Sequence, residues 1–310
     1  MKMWRIGLKV MISSVFVISF IIGEEPIKPI PQSIVYDRAK ALLGKKLFHD
    51  PILSKDGAVA CANCHQLDSG GDDGLNYSKG IRGEEGKINT PTVFNAFYNF
   101  RLFWDGRAKN LEEQVLGSIE GPGGMGHTMK GAVAQLKKER EYRDMFAKNY
   151  PDGITSGNLV DAIAEFEKAL ITPDAPFDRY LRGDENALTN EAKKGYRLFK
   201  SKGCILCHNG VLVGANLYNK FSIYQESNST HLGRYNVTKR EEDKYVFKVP
   251  SLRNIALTAP YMHNGCVETL EEAVYRMIHY QLGRSMDSEE VWAIVEFLES
   301  LTGEIPDITR

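Results

Sequence analysis

At 310 residues the chain is long enough for about two domains, and its 43% apolar content suits well-filled cores. A formal charge of −1 gives no sign of a nucleic-acid partner. Five cysteines are a poor count for a scaffold held by disulfide pairs.

The first predicted element is a targeting segment. Lys2, Arg5 and Lys9 precede an apolar stretch from Val10 to Ile22, interrupted by Ser13, Ser14 and Ser19 and ended by Gly23, Glu24 and Glu25. A basic start and a 13-residue apolar stretch predict a secretory signal over residues 1–23, too short for an ordinary membrane span. Gly23 suits the small position before cleavage, but Ile21 fits the second small position badly, so an uncleaved membrane anchor stays open. No cysteine follows the stretch directly, which argues against a lipoprotein. The expected location is the periplasm. Without residues 1–23 the charge becomes −4, from 36 basic and 40 acidic side chains.

A helix ending in Gly44-Lys45-Lys46-Leu47-Phe48 then leads to the pentad Cys61-Ala62-Asn63-Cys64-His65. Cys-x-x-Cys-His is the attachment signal for c-type haem. The thiols add to two vinyl groups on the macrocycle edge, and the histidine that follows becomes the proximal iron ligand. Further on, Phe103-Trp104-Asp105-Gly106-Arg107 is an aromatic, tight-turning run suited to a pocket wall. Asn110 can cap a helix, and Glu113 completes its capping box. That leaves Glu112 without a structural task, although acids favour first turns for electrostatic reasons alone. The first half closes with an amphipathic helix from about Asn158, with Leu159, Ile163, Phe166 and Leu170 at helical spacing.

Thr172-Pro173-Asp174-Ala175-Pro176 and Arg182-Gly183-Asp184 have linker chemistry. After them the pattern repeats. Gly195-Tyr196-Arg197-Leu198-Phe199 precedes a second pentad, Cys204-Ile205-Leu206-Cys207-His208. A helix begun by Thr269 carries Leu270, Val274, Met277 and Ile278 on one face. Met277 there reads as a core residue or as a thioether ligand to haem iron. A closing helix starts near Asp287 or Ser288, with Val291, Ile294, Val295 and Leu298 on one side. A zinc knuckle or a thioredoxin-type pair could explain one cysteine pair, but not a histidine after each. Strand signal is thin. The expectation is a mostly α protein of two cytochrome c-like domains, residues 24–180 and 181–310, joined near residues 173–187. Each holds one covalently attached c-type haem. Four cysteines are thereby used, and Cys266 is left over, read first as a small buried hydrophobe and otherwise as a free thiol.

Several segments carry a family resemblance: Asn89 to Val93, Phe103 to Ala108 with Leu111 to Gln114, Pro176 to Tyr180, and Val249 to Gly265. From about residue 38 to the C-terminus the chain resembles the bacterial dihaem cytochrome c peroxidases. The resemblance implies a peroxidatic N-terminal haem with His65 as proximal ligand and Glu112 as acid–base group for hydrogen peroxide. It implies a second haem, ligated by His208 and Met277, that receives electrons. It further implies a Ca²⁺ ion between the domains, held by Asn89 and by the carbonyls of Thr258 and Pro260. His263 would lie near the second haem. A small cytochrome c or a copper protein would serve as electron donor, and a homodimer stays open.

Two departures from the family stand out. Many members carry a distal histidine that blocks the peroxidatic iron, and here that place falls on Ile81. An unlocked iron is therefore expected. Leu102 stands where many members have a pocket glutamine. His127 offers a substitute ligand from a loop, but reads first as a polar loop residue. Two other readings compete with a peroxidase. A related dihaem enzyme that oxidises a partner protein's side chains also lacks the lock, but carries tyrosine where this chain has Met277. A non-enzymatic dihaem electron carrier would need no Glu112.

Overall fold

The computed structural model describes residues 25–224 and 230–310. The expected signal segment, residues 1–23, lies outside the described residues. In the N-terminal half come α1 (Arg38–His49), the single turn α2 (Cys61–Cys64), α3 (Leu111–Glu120), α4 (Met129–Leu136), α5 (Arg140–Asn149) and α6 (Ser156–Lys168). After α7 (Pro176–Leu181) follow α8 (Asn190–Lys202), α9 (Tyr235–Thr238), α10 (Leu270–Arg276) and α11 (Ser288–Glu299). The thin strand signal corresponds to one antiparallel pair among the described residues, β1 (Tyr218–Lys220) with β2 (Val246–Lys248), in which Asn219 faces Phe247.

The long helices begin on side-chain caps that satisfy first-turn N–H groups. Asp37 caps α1, Thr155 caps α6, Thr189 caps α8 and Asp287 caps α11. The closing helix of the first half therefore starts two residues before the expected Asn158. Asn158 lies in its first turn, where its side-chain amide donates to Asp152 and to the Gly153 carbonyl. Leu170 falls just beyond the helix and is still fully buried.

The repeat in the sequence becomes a repeat of helix crossings. In each half an opening helix meets a closing one, α1 with α6 and α8 with α11. A Cβ on Gly44 would overlap the Ala162 carbonyl, and a Cβ on Gly195 would overlap the Ala293 carbonyl. Glycine is needed at both places because the backbones touch there. Beside each glycine an aromatic pair fills the crossing: Phe48 with Phe166 at 5.2 Å between ring centroids, and Phe199 with Phe297 at 5.1 Å.

The apolar cores follow the same division, with crossings at the chain ends. Leu43, Leu159 and Ile163 belong to the N-terminal core, while Tyr196, Ile294 and Phe297 belong to the C-terminal one. Ile27, ahead of α1, packs in the C-terminal core together with Phe177 of α7, and Ile308 returns to the N-terminal core. A buried ion pair fastens this junction. Asp178 on α7 meets Arg253 at 2.7 Å, and Arg253 also donates to the carbonyls of Val211 and Lys28.

Candidate active site

Both cysteine–histidine pentads fold as one tight turn. The backbone N–H of His65 donates to the Cys61 carbonyl at 3.0 Å, and that of His208 donates to the Cys204 carbonyl at 3.0 Å. Just before the first turn, the Asn63 side chain accepts from the Ala60 N–H. Each histidine then orients its ring in the same way. Nδ1 of His65 lies 3.1 Å from the Gly71 carbonyl, and Nδ1 of His208 lies 3.3 Å from that of Val213. A carbonyl only accepts, so both Nδ1 atoms carry the proton and both Nε2 lone pairs are left for a metal. Burial pulls both histidines below their usual range, His208 to about 4, and so keeps them neutral as ligands must be.

No disulfide joins the cysteines. Burial pushes the thiols of Cys61, Cys64 and Cys204 up, the last to about 11. Among the described residues no three His, Cys, Asp or Glu side chains gather as a metal cluster, so neither pair has the further ligands that a zinc site needs. The second pentad instead opens on a deep apolar cleft. Cys204, Cys207 and His208 line it together with Leu270, Val274 and Met277. Two thiols, a neutral imidazole and a thioether around an apolar space suit a covalently held haem.

Met277 reaches the cleft through an irregularity. At this residue α10 passes into a π-helical turn, Met277–Gln281, and the Leu282 N–H donates five residues back to the Met277 carbonyl. Such turns break the regular facing of side chains and are frequent at functional sites.

The first pentad has different company. Asn110 caps α3 by accepting from the Glu113 N–H, and the Glu113 carboxylate accepts from the Lys109 N–H instead of closing the expected box on Asn110. Glu112, in the same turn, is exposed. Beneath α3, Ala164 of α6 packs with Leu111 and Leu102, and one turn further along α6 lies Glu167, only 5% exposed. Burial pushes Glu167 up to about 8, and the Glu112 charge adds to this. At neutral pH Glu167 is thus protonated.

Ile81 is turned inward against Gly126, and its backbone N–H donates to the Gly124 carbonyl. His127 is held at the start of α4, where Nδ1 accepts from the Thr128 N–H and Nε2 lies 3.4 Å from the Gln135 amide oxygen. Cys266 is exposed beside Arg276 and so is not the small buried hydrophobe expected.

Asn89, Thr258 and Pro260 line the same cleft as the second pentad. The Asn89 amide nitrogen donates to the Leu75 carbonyl and its backbone carbonyl accepts from Trp104 Nε1, both at 2.9 Å. Its Oδ1 and the carbonyls of Thr258 and Pro260 accept no hydrogen bond among the described residues. Three unpaired neutral oxygens are suitable hard ligands for Ca²⁺, with water completing the shell. His263 is buried against Phe247, 4.3 Å between ring centroids, and is pulled down to about 4 by burial.

Sequence reasoning missed Glu167, Lys248 and the Asp178–Arg253 pair. For the first two the available signal is a charge at an apolar position: Glu167 next to Phe166 in the closing helix, and Lys248 between Phe247 and Val249.

Fold and site together define a dihaem c-type cytochrome. Residues 38–186 match the family described as di-haem cytochrome c peroxidase. The chain is 48% identical to the cytochrome c peroxidase Ccp of Escherichia coli strain K12, a match spanning 90% of this chain and 61% of that longer protein. It is 45% identical to the cytochrome c551 peroxidase of Nitrosomonas europaea, spanning 92% of this chain and 86% of that one. The crystal structure of a MauG-like protein associated with microbial copper homeostasis superposes with a TM-score of 0.78 at 28% identity, covering 90% of this chain and 93% of that one. The chain belongs to the dihaem cytochrome c peroxidases, a family of oxidoreductases.

Proposed function

We propose that the chain reduces hydrogen peroxide to water at the His65 site with electrons that enter through the His208/Met277 site. The reading rests on one contrast. The two pentads share their proximal geometry, yet Met277 lines the cleft of the second, whereas the acid Glu167 lies within electrostatic reach of Cys61 of the first and of Glu112. A site closed by a thioether passes electrons. A site with a carboxylate and no side-chain ligand takes a small substrate.

When bound, haem supplies the redox-active iron that exchanges electrons with peroxide. The residues supply the rest. His65 is held as a neutral ligand by the Gly71 carbonyl. Glu112 accepts the proton from one peroxide oxygen and returns it to the leaving oxygen, a transfer worth about 10²–10⁴ in rate. Two electrons and two protons in total convert one peroxide into two waters. Ile81, packed away against Gly126, leaves no histidine at the place of the usual lock, so the oxidised protein is expected to react without prior reduction. Asn89, Thr258 and Pro260 hold Ca²⁺, and a small cytochrome c or copper protein delivers electrons in the periplasm. Met277, in place of tyrosine, speaks against the oxidation of a partner's side chains.

Stopped-flow absorbance of the oxidised holoprotein mixed with peroxide tests this reading. A fast Soret change is expected, slowed about 10²–10⁴-fold in Glu112→Gln. A reaction that appears only after one-electron reduction would show that another ligand closes the site. Two low-spin haems inert at both oxidation levels would make the chain an electron carrier.

A further inference from the structure

Lys248 is a buried cation with no anion beside it among the described residues. It sits on β2 opposite Tyr218, is 8% exposed, and its backbone N–H donates to the Trp104 carbonyl at 2.8 Å. Its ammonium donates to Asn99 Oδ1 at 2.9 Å, a neutral acceptor, and no carboxylate pairs with it among the described residues. Desolvation alone pulls it down to about 8, with no opposing charge to hold it up. The other deeply buried cation, Arg253, is treated differently: it has Asp178 at 2.7 Å. A lone buried charge is costly, and such groups are normally found opposite a counter-charge.

The place of Lys248 indicates which anion fits. Lys248 lines the cleft that also holds Cys204, Cys207, His208 and Met277, and no residue of the first pentad lines that cleft. Among the described residues no Asp or Glu lines it either. The remaining cations on its wall are Lys220, which is exposed, and Arg253, which is already paired. A c-type haem fixed by its vinyl edge to Cys204 and Cys207 presents two propionates at its opposite edge. That brings two carboxylates into a cleft with one buried ammonium that no carboxylate pairs among the described residues.

We propose that the Lys248 ammonium is the counter-charge for a propionate of the haem attached at Cys204 and Cys207, and that it holds the reduction potential of that haem up. The proposal rests on the second pentad being a haem site. Reduction adds an electron to the haem, so a nearby cation favours the reduced form and its loss favours the oxidised one.

Spectroelectrochemical titration of both haems in the holoprotein, wild type beside Lys248→Met, reads this directly. The Met277-side haem is expected to become at least tenfold harder to reduce, a fall of about 59 mV for a one-electron couple, with the other haem unmoved. Lys248→Arg should restore most of the shift. Lys248→Gln keeps a polar head without the charge, so it should show the same fall if the methionine variant does not fold. Two haems with unmoved potentials in both uncharged variants would overturn the proposal, as would a shift carried by the N-terminal haem. A haem count of one per chain would instead overturn the two-haem reading beneath it.

Discussion

In the N-terminal half α1 crosses α6 at Gly44, and in the C-terminal half α8 crosses α11 at Gly195, with a phenylalanine pair beside each crossing. Both frames hold a pentad whose histidine is aimed by a backbone carbonyl five or six residues on. The elements that accompany the two pentads differ. The C-terminal half places a methionine on a π-helical turn, and the N-terminal half places α3 with Glu112. On the proposed reading one scaffold serves two tasks, because a proximal frame would fix how a haem is held and the distal side would decide what its iron meets. Buried charges are also treated differently. At the junction Asp178 is paired with Arg253, whereas Glu167 in the N-terminal half and Lys248 in the C-terminal half have no partner of opposite charge among the described residues.

The largest expected effect breaks the paired side of that contrast. For both Asp178 and Arg253 desolvation is the leading influence, pushing the acid up and the guanidinium down, with their mutual attraction opposing it. Asp178→Ala strands Arg253, which is 1% exposed, and should cost about 3–5 kcal/mol in chemical denaturation. Removing both charges, as Asp178→Leu with Arg253→Met, should cost far less than the single change. Equal losses would mean that the hydrogen bonds of Arg253 to Val211 and Lys28, not the charge pair, hold the junction.

The likeness of the two frames is sharpened by paired substitutions. Gly44→Ala forces a methyl group into the Ala162 carbonyl, and Gly195→Ala into that of Ala293. Each should destabilise by about 1–3 kcal/mol through overpacking. If the crossings are equivalent the two losses will agree to within about 0.5 kcal/mol. A large loss in one half alone would show that only that half relies on close backbone contact.

Much of this frame is legible in the sequence because it rests on local signals. The pentads, the caps Thr269 and Asp287, and the repeated glycine-to-phenylalanine run all declare themselves within a few residues. Family resemblance added the expected roles of Glu112 and Met277, which helical spacing alone leaves as a surface acid and a core residue. What escaped depends on contacts between distant segments. Asp178 and Arg253 are 75 residues apart, and nothing local marks them as partners. The π-helical turn at Met277 follows from packing, since its sequence continues the helical pattern of α10. Ile27 and Ile308 exchange cores because the ends of the chain cross, which periodicity cannot show.

The smallest expected effect tests the unpaired side. Glu167 keeps its proton up to about pH 8 in the folded protein, against an ordinary value of 4.5. In the unfolded chain the proton leaves near the ordinary value, so between the two the folded state binds more protons. Stability must then fall as pH rises through this window. Between about pH 6 and 7 the Glu167 contribution should fall by roughly 1 kcal/mol, close to the limit of 1.36 kcal/mol per pH unit for one proton. Glu167→Gln keeps the shape without the titration, so denaturation of the holoprotein over this range should lose that slope. The comparison between variant and wild type removes contributions from other groups, His65 and the exposed carboxylates included. If both proteins kept the same slope, Glu167 would be ionised in the fold despite its burial.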